Sequence, residues 1–294
     1  MGGYWSPQRS FTTIPSSAGV ITITSVVPGA TINENFVFVR GYLNVAPGTE
    51  VGVTVNDFAA LVDAGQFALH VMLDETVTGL TAIVKDDLGN ILGSQTVPVT
   101  VQIPAEEPTL TLIPRPVIGP IPLTVTFDMN CLEPVSRIDF DSDGNGTNDF
   151  QGTSLTDKPF TYEVRGLFFP RVTVTDQSSN THTRTAIVWA ISRDELETLL
   201  QSKWTALKNA LRSGDIQGAL KHIVIGKRPT YEQVFNTLKI PYSQIDQVLT
   251  SITFIEMKGA IAEYEMLRTE EQGEFAYLVR FVVDEDGIWR IESF

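Results

Sequence analysis

The sequence predicts a multi-domain chain of two all-β sandwiches followed by an α+β domain. Three observations lead to this. Over residues 16–191, short runs rich in Val, Ile and Thr alternate apolar with polar residues and are punctuated by Gly, Pro, Asn and Asp, as half-buried antiparallel strands are. At residue 192 the apolar period lengthens to that of a helix. From residue 251 alternation returns, and helices followed by a block of strands define an α+β unit.

The elements follow in order. Residues 1–15 read as a flexible N-terminus. They lack the charged-then-apolar order of a secretory leader, and Tyr4 and Trp5 form an aromatic pair there. Residues 16–103 carry strands over Ile21–Thr24, Phe36–Arg40, Val51–Val55, Phe67–Val71, Leu80–Val84 and Val97–Val101. Turns fall at Pro28-Gly29, Pro47-Gly48, Asp63-Ala64-Gly65 and Leu88-Gly89-Asn90. Pro104-Ala105-Glu106-Glu107-Pro108 reads as a stiff, solvated linker. Residues 104–191 repeat the pattern, with strands over Thr109–Ile113, Leu123–Phe127, Arg171–Thr175 and Arg184–Ala190 and a turn at Gly119-Pro120-Ile121-Pro122.

Residues 192–294 form the third unit. Ser192-Arg193-Asp194-Glu195 has the form of a capping box, in which the serine oxygen takes a free backbone N–H and the glutamate reaches back. Leu196, Leu199, Leu200, Trp204, Leu207 and Leu211 then recur at helical spacing. Ser213-Gly214-Asp215 ends that helix and caps a second, and Tyr231–Leu238 predicts a third. Strands follow over Ser251–Glu256, Ile261–Leu267, Phe275–Val283 and Trp289–Phe294.

Composition narrows the function. The chain has 294 residues with a formal net charge of −14, and the acidity is spread over all three units. No Lys/Arg run supplies the footprint that phosphate backbones require, which argues against nucleic acid and anionic lipid as partners. Cys131 is the one cysteine, so neither an intramolecular disulfide nor a multi-thiolate metal site can form. No stretch approaches the ~18 apolar residues of a membrane span.

Three resemblances refine this outline. Pro28-Gly29-Ala30-Thr31-Ile32-Asn33, Val39-Arg40-Gly41, Val53-Thr54-Val55-Asn56, Gly65-Gln66-Phe67 and Val84–Asn90 resemble bacterial immunoglobulin-like domains of the glucodextranase type. Pro122–Phe127, Ile138-Asp139-Phe140-Asp141-Ser142-Asp143-Gly144, Phe160-Thr161-Tyr162 and Val172–Asp176 resemble a polycystic-kidney-disease-type (PKD) repeat, with Ile138 where tryptophan is usual. The long first helix, Gly214-Asp215-Ile216 and Asp286–Ile291 are similar to the cone-shaped fold of ketosteroid isomerase, SnoaL-type proteins and nuclear transport factor 2. The first two resemblances imply immunoglobulin-like sandwiches acting as spacers or interaction units. The third implies an internal pocket, for which Tyr231, Phe235, Tyr264 and Tyr277 are the candidate lining.

One segment carries coordination chemistry. Asp139, Asp141, Asp143, Asn145 and Asp149 lie within eleven residues, and hard cations take several oxygen ligands at ~2.3–2.6 Å from one loop. The segment fits D-x-[DN]-x-[DN]-G in two overlapping registers. The twelfth positions are Phe150 and Gly152 rather than Glu, so it is not an EF-hand. A structural Ca²⁺ is the expectation, against the alternative that Asp, Asn and Gly are simply turn residues.

The remaining candidates read as bland. His70, His182 and His222 fall one in each unit; the first two read as surface residues, and His222 as a residue at the cone's mouth. Cys131 lies in a loop-like stretch, and Trp189, Trp204 and Trp289 in core runs. Gly166–Pro170 is apolar for a turn and suits packing between units or an exposed patch. Asp246 and Glu263 are the candidate bases should the cone be an enzyme.

The functional expectation is a non-catalytic structural or interaction protein at the cell surface, outside the cell or in the periplasm, with protein or carbohydrate partners. In it the two sandwiches project the third unit or join it to a larger neighbour. The alternatives are a small ligand, glycan or peptide held in the cone's pocket, and then an enzyme using that pocket.

Overall fold

The computed structural model describes residues 19–103, 110–237 and 244–294. The expected flexible terminus, the Pro104–Pro108 linker and Leu238 lie outside the described residues.

The first unit is a sandwich of a four-stranded and a five-stranded sheet. Phe36–Leu43 pairs antiparallel with Ile21–Ile23 and with Gln66–Met72, whose other edge carries Leu61–Asp63. The facing sheet runs Ala30–Ile32, Ile91–Val101, Gly79–Asp86, Val51–Val55 and Phe58–Ala59. Inward residues of both sheets, among them Val37, Val39, Phe67, Val53, Leu80 and Val84, make one buried cluster. The predicted strands and turns are present; Gly29, Gly48, Gly65 and Gly89 all adopt positive φ, which suits glycine in tight turns. Ala30–Ile32 was not foreseen. It pairs parallel with Val99–Val101, so the sheet is not purely antiparallel.

The second unit packs Leu110–Arg115, Leu123–Cys131 and Phe160–Tyr162 against Phe150–Gly152, Val135–Asp141, Arg171–Asp176 and Thr181–Thr185. Leu112, Val125, Phe127, Ile138, Phe140, Val172 and Val174 fill the space between them. Several expectations need correction. The run expected as one strand over Arg184–Ala190 divides into Thr181–Thr185 and Val188–Ile191. Gly119 and Pro120 belong to a strand, Ile118–Pro120, paired parallel with Trp189–Ile191. Gly166–Phe168 is likewise a strand, on the other side of Val188–Ile191. Cys131 ends a strand instead of lying in a loop.

The third unit has helices α1 (Arg193–Arg212), α2 (Ile216–Leu220), α3 (Arg228–Asn236) and α4 (Ile245–Val248). They are followed by the antiparallel meander Ile252–Lys258, Ile261–Glu270, Gly273–Val283 and Trp289–Ser293. Ser192 Oγ accepts from Glu195 N–H at 3.4 Å, and the Asp215 side chain caps α2 at Gly218 N–H at 2.8 Å. The Glu195 carboxylate pairs with Arg165. α3 begins three residues ahead of the predicted start, with a proline in its first turn, where the missing N–H is not needed. Trp204, Leu207, Leu211, Phe235, Tyr264, Phe281 and Trp289 fill the space between helices and sheet.

That cluster does not stop at the third unit. Ile118, Leu167, Ile187, Trp189 and Ile191 of the second sandwich belong to it, as does Ala68 of the first. The third unit therefore packs on both sandwiches instead of being projected by them. Three seams result. Between the sandwiches, Arg184 bonds Glu34 at 2.5 Å and the Phe36 carbonyl at 3.2 Å, and Phe169 meets Phe38 edge-on at 5.5 Å. Arg165 of the second sandwich reaches Asp63 of the first at 3.0 Å and Glu195 of α1. Between the first sandwich and the third unit, Glu50 accepts from Trp289 N–H at 3.0 Å and pairs with Lys203.

Candidate functional site

The acidic loop lies at the end of Val135–Asp141. Asp141 is buried, Asp143 half-buried and Asp149 exposed, and one carboxylate oxygen from each lies within 4.8 Å of the others. Backbone N–H groups hold the loop. Asp141 Oδ1 accepts from Gly144 at 2.7 Å and Asn145 at 3.2 Å, and its Oδ2 accepts from Gly146 at 2.7 Å. Asp149 Oδ2 accepts from Ser142 N–H at 2.7 Å and Oγ–H at 2.5 Å. Tyr162 Oη donates to the Ser142 carbonyl at 2.6 Å. Burial, then the charges of Asp143, Asp149 and Asp141, keep that phenol protonated far above its usual range. Gly144 is at φ +81°, where a Cβ would meet the Phe169 carbonyl oxygen at 2.6 Å; only glycine serves there.

Two of the five expected ligands turn elsewhere. Asp139 shares a strand face with Asp141 but accepts from Arg137 at 2.7 Å and from the Asn148 amide at 3.4 Å. Asn145 spends its amide group on Asp143 and its carbonyl oxygen on Thr147 N–H at 2.7 Å, an Asx-turn. The donor set brought together is thus Asp141, Asp143 and Asp149. Three carboxylates suit a hard cation chemically, though both oxygens of Asp141 already accept backbone bonds.

Of the expected pocket residues, Tyr231 and Phe235 lie side by side on α3, with ring centroids 5.7 Å apart. Tyr264 is fully buried, in edge contact with Phe254 and Phe281 at 5.4 Å each, and Phe235 is 2% exposed. Tyr231 stacks on Phe294 at 5.0 Å. Tyr277 lies under Arg268 and donates to Glu270 at 2.5 Å. Alternation indicated which strand positions face inward, and Tyr264 and Phe281 are fully buried there. The candidate bases fare no better. Asp246 is exposed and bound by Arg212 at 2.8 and 2.5 Å and by Lys208 at 3.1 Å; Arg212 foremost holds its carboxyl down at about 2. Glu263 faces Arg280 at 3.2 Å.

Sequence reasoning missed the seam between the first sandwich and α1. Here an open cleft of about 320 Å³ is lined by Gly48, Thr49, Glu50 and Asp87 on one side and by α1 and His222 on the other. Lys203, 5% exposed, lies at its floor against Glu50. Burial raises the Glu50 carboxyl against the pull of Lys203. Burial foremost, and then Lys203, lowers the His222 imidazole to about 4. The signal was a lysine at a core position of an amphipathic helix, which demands a partner when buried. His70, expected at the surface, lies in the seam between the sandwiches. Its Nε2–H donates to the Thr185 carbonyl at 3.0 Å, its ring stacks on Phe36 at 4.8 Å, and burial lowers it to about 4. His182 faces Asp176 at 3.3 Å.

No family model matches the chain, and no curated protein matches it. Among solved structures, the chain is similar to the fibronectin(III)-like modules of Clostridium thermocellum CbhA, at 17% identity over 59% of this chain and 95% of that one, TM-score 0.23. It is similar to the tandem Ig repeats of Dlar at 11% identity, over 60% and 100% of the two chains, TM-score 0.22. A third is Bacteroides ovatus SGBP-B in complex with a mixed-linkage heptasaccharide, at 17% identity, over 58% and 47%, TM-score 0.20. The sandwich architecture stated above rests on the strand pairings themselves.

Proposed function

We propose that the chain is a non-catalytic structural or interaction protein working outside the cytoplasm, whose three units act as one rigid body. The observation that carries this is the three-way packing. Arg165 ties all three units together, and a single buried cluster draws residues from each. An assembly locked on three sides suits the presentation of a surface of fixed shape better than hinged spacing. In this reading the first unit is a glucodextranase-type immunoglobulin-like sandwich, the second a PKD-type repeat with Ile138 in its core, and the third a cone-type unit. Protein or carbohydrate partners at a cell surface follow from such a body. Small-angle scattering should give one compact envelope unchanged by ionic strength. Scattering that needs a spread of domain arrangements, or turnover of a glycan, peptide or ester by the pure chain, would sink the proposal.

The acidic loop favours a second element, a structural Ca²⁺ held by Asp141, Asp143 and Asp149. The ion would offset three like charges and stiffen the loop, stabilising the folded state by mass action. The test is thermal unfolding in EDTA and in millimolar Ca²⁺. Ca²⁺ should raise a transition in the parent and not in Asp143→Ala. Asp141→Ala should cost about 1–3 kcal/mol even in EDTA, because the loop loses the charged hydrogen bonds from the Gly144, Asn145 and Gly146 N–H groups. Superimposed parent curves in the two media would mean that the loop is a turn alone.

A further inference from the structure

We propose that the cleft between the first sandwich and α1 is a binding site for a neutral polyhydroxylated ligand, a sugar unit. This deepens the interaction reading above and rests on its binding role.

The cleft holds hydrogen-bonding capacity that the protein leaves unspent. Lys203 has three N–H donors and is buried. Glu50 is its partner among the described residues, and the other Glu50 oxygen takes Trp289 N–H. Donors of the ammonium are therefore left over at the cleft floor, where an unpaired buried donor is costly. The two ring nitrogens of His222 have no protein partner among the described residues, and with its proton affinity lowered to about 4 the ring is neutral at pH 7. It offers one donor and one acceptor. Asp87, which senses both Glu50 and His222 electrostatically, brings a carboxylate at the rim with no hydrogen-bond partner among the described residues.

Charge then selects the ligand. Glu50 and Asp87 are acidic and Lys203 is basic, in a chain of net charge −14. An anion that reached Lys203 would also face two carboxylates, and a cation that reached Asp87 would meet the ammonium beneath it. A neutral molecule carrying both donors and acceptors on every edge meets all these groups without paying for either repulsion. Hydroxyls of a sugar accept from Lys203, exchange bonds with His222 and Thr49 and donate to Asp87, while Leu199 and Ala206 on the α1 wall meet its C–H face. The volume, about 320 Å³, is at the small end of ligand sites. The ligand is thus one or two rings, not a long chain.

The test is titration of the intact, isotope-labelled chain with cellobiose, maltose and N-acetylglucosamine, with acetate and glycine as charged probes, followed by amide NMR shifts. At least one sugar should shift residues around Thr49, Asp87, Ser202 and His222 saturably. Asp87→Ala should weaken binding roughly tenfold or more, the worth of one charged hydrogen bond. Ser202→Trp, an exposed position on the cleft wall, should abolish it while leaving the remaining spectrum unchanged. The proposal is overturned if none of the three sugars moves these residues. It is equally overturned if only acetate or glycine does, or if sugar binding survives intact in Ser202→Trp. None of these outcomes bears on the rigid-body reading, which scattering tests separately.

Discussion

Gly52 offers a direct test of the seam between the first sandwich and the third unit. It lies in Val51–Val55 where the turn after Gly273–Val283 docks, and a Cβ there would stand 2.1 Å from the Asp286 carbonyl oxygen and 2.7 Å from Ile288 Cγ1. Real Cβ atoms essentially never come within 3.0 Å of a neighbour, so in Gly52→Ala the turn must withdraw by about 1 Å. It has little freedom to do so. Arg290, 1% exposed, grips Asp286 at 2.5 and 2.8 Å and Asp284 at 2.8 Å, and Trp289 N–H is bonded to Glu50. A gap of that size forfeits about a quarter to a half of the dispersion attraction across the seam, and overpacking of this kind costs about 1–3 kcal/mol. Urea unfolding followed by tryptophan fluorescence reads the change, because Trp189, Trp204 and Trp289 all lie in the shared cluster. Gly52→Ala should lower the first midpoint or split the transition. Gly226→Ala, whose Cβ would meet nothing within 4 Å, should leave it in place. Coincident curves for Gly52→Ala and the parent would refute the seam.

Two further outcomes are expected. Lys203→Met should cost about 3–5 kcal/mol by leaving Glu50 buried without its cation. Adding Glu50→Gln should restore part of that, and a double variant no more stable than the single one would argue against the pair. Acid should also loosen the seams. The unfolded chain protonates a histidine near 6.5 and the folded chain protonates His70 and His222 only near about 4. Between those values the unfolded state binds more protons, so stability falls as pH drops from 6.5 towards 4, by up to roughly 3 kcal/mol for each ring. Arg184 beside His70, and Lys203, Lys221 and Arg290 beside His222, add to the penalty, while Asp87 opposes it for His222. A double His70→Phe, His222→Phe variant should show a flatter profile from pH 7 to pH 4.5, and an unaltered slope would refute this assignment.

Much of the local structure was legible in the sequence because it is set by near neighbours. The apolar positions of Val51–Val55 and Leu80–Val84 repeat with period two, and those of α1 repeat with helical spacing. Gly29, Gly65 and Gly89 mark turns that need positive φ, and Ser192 and Asp215 cap helices three residues from their partners. The acidic loop was legible for the same reason, since Asp141, Asp143 and Asp149 converge through a short chain of Asx-type bonds.

What only the tertiary structure decided is which surface covers which. His70 reads as a surface residue in the sequence, and it lies outside the first sandwich's own core, beside Phe36 and Phe38. Nothing local says that the outward face is roofed by Arg184, Thr185 and Phe169, more than a hundred residues away. The same holds for Lys203, whose partner Glu50 lies in another unit, and for Ile118–Pro120, a strand only because Val188–Ile191 lies beside it. Periodicity records which side chains leave water on folding. It does not record which distant segment displaces that water. A strand face closed by a neighbouring sandwich and one left open to solvent therefore carry the same alternating pattern until the packing of whole units tells them apart.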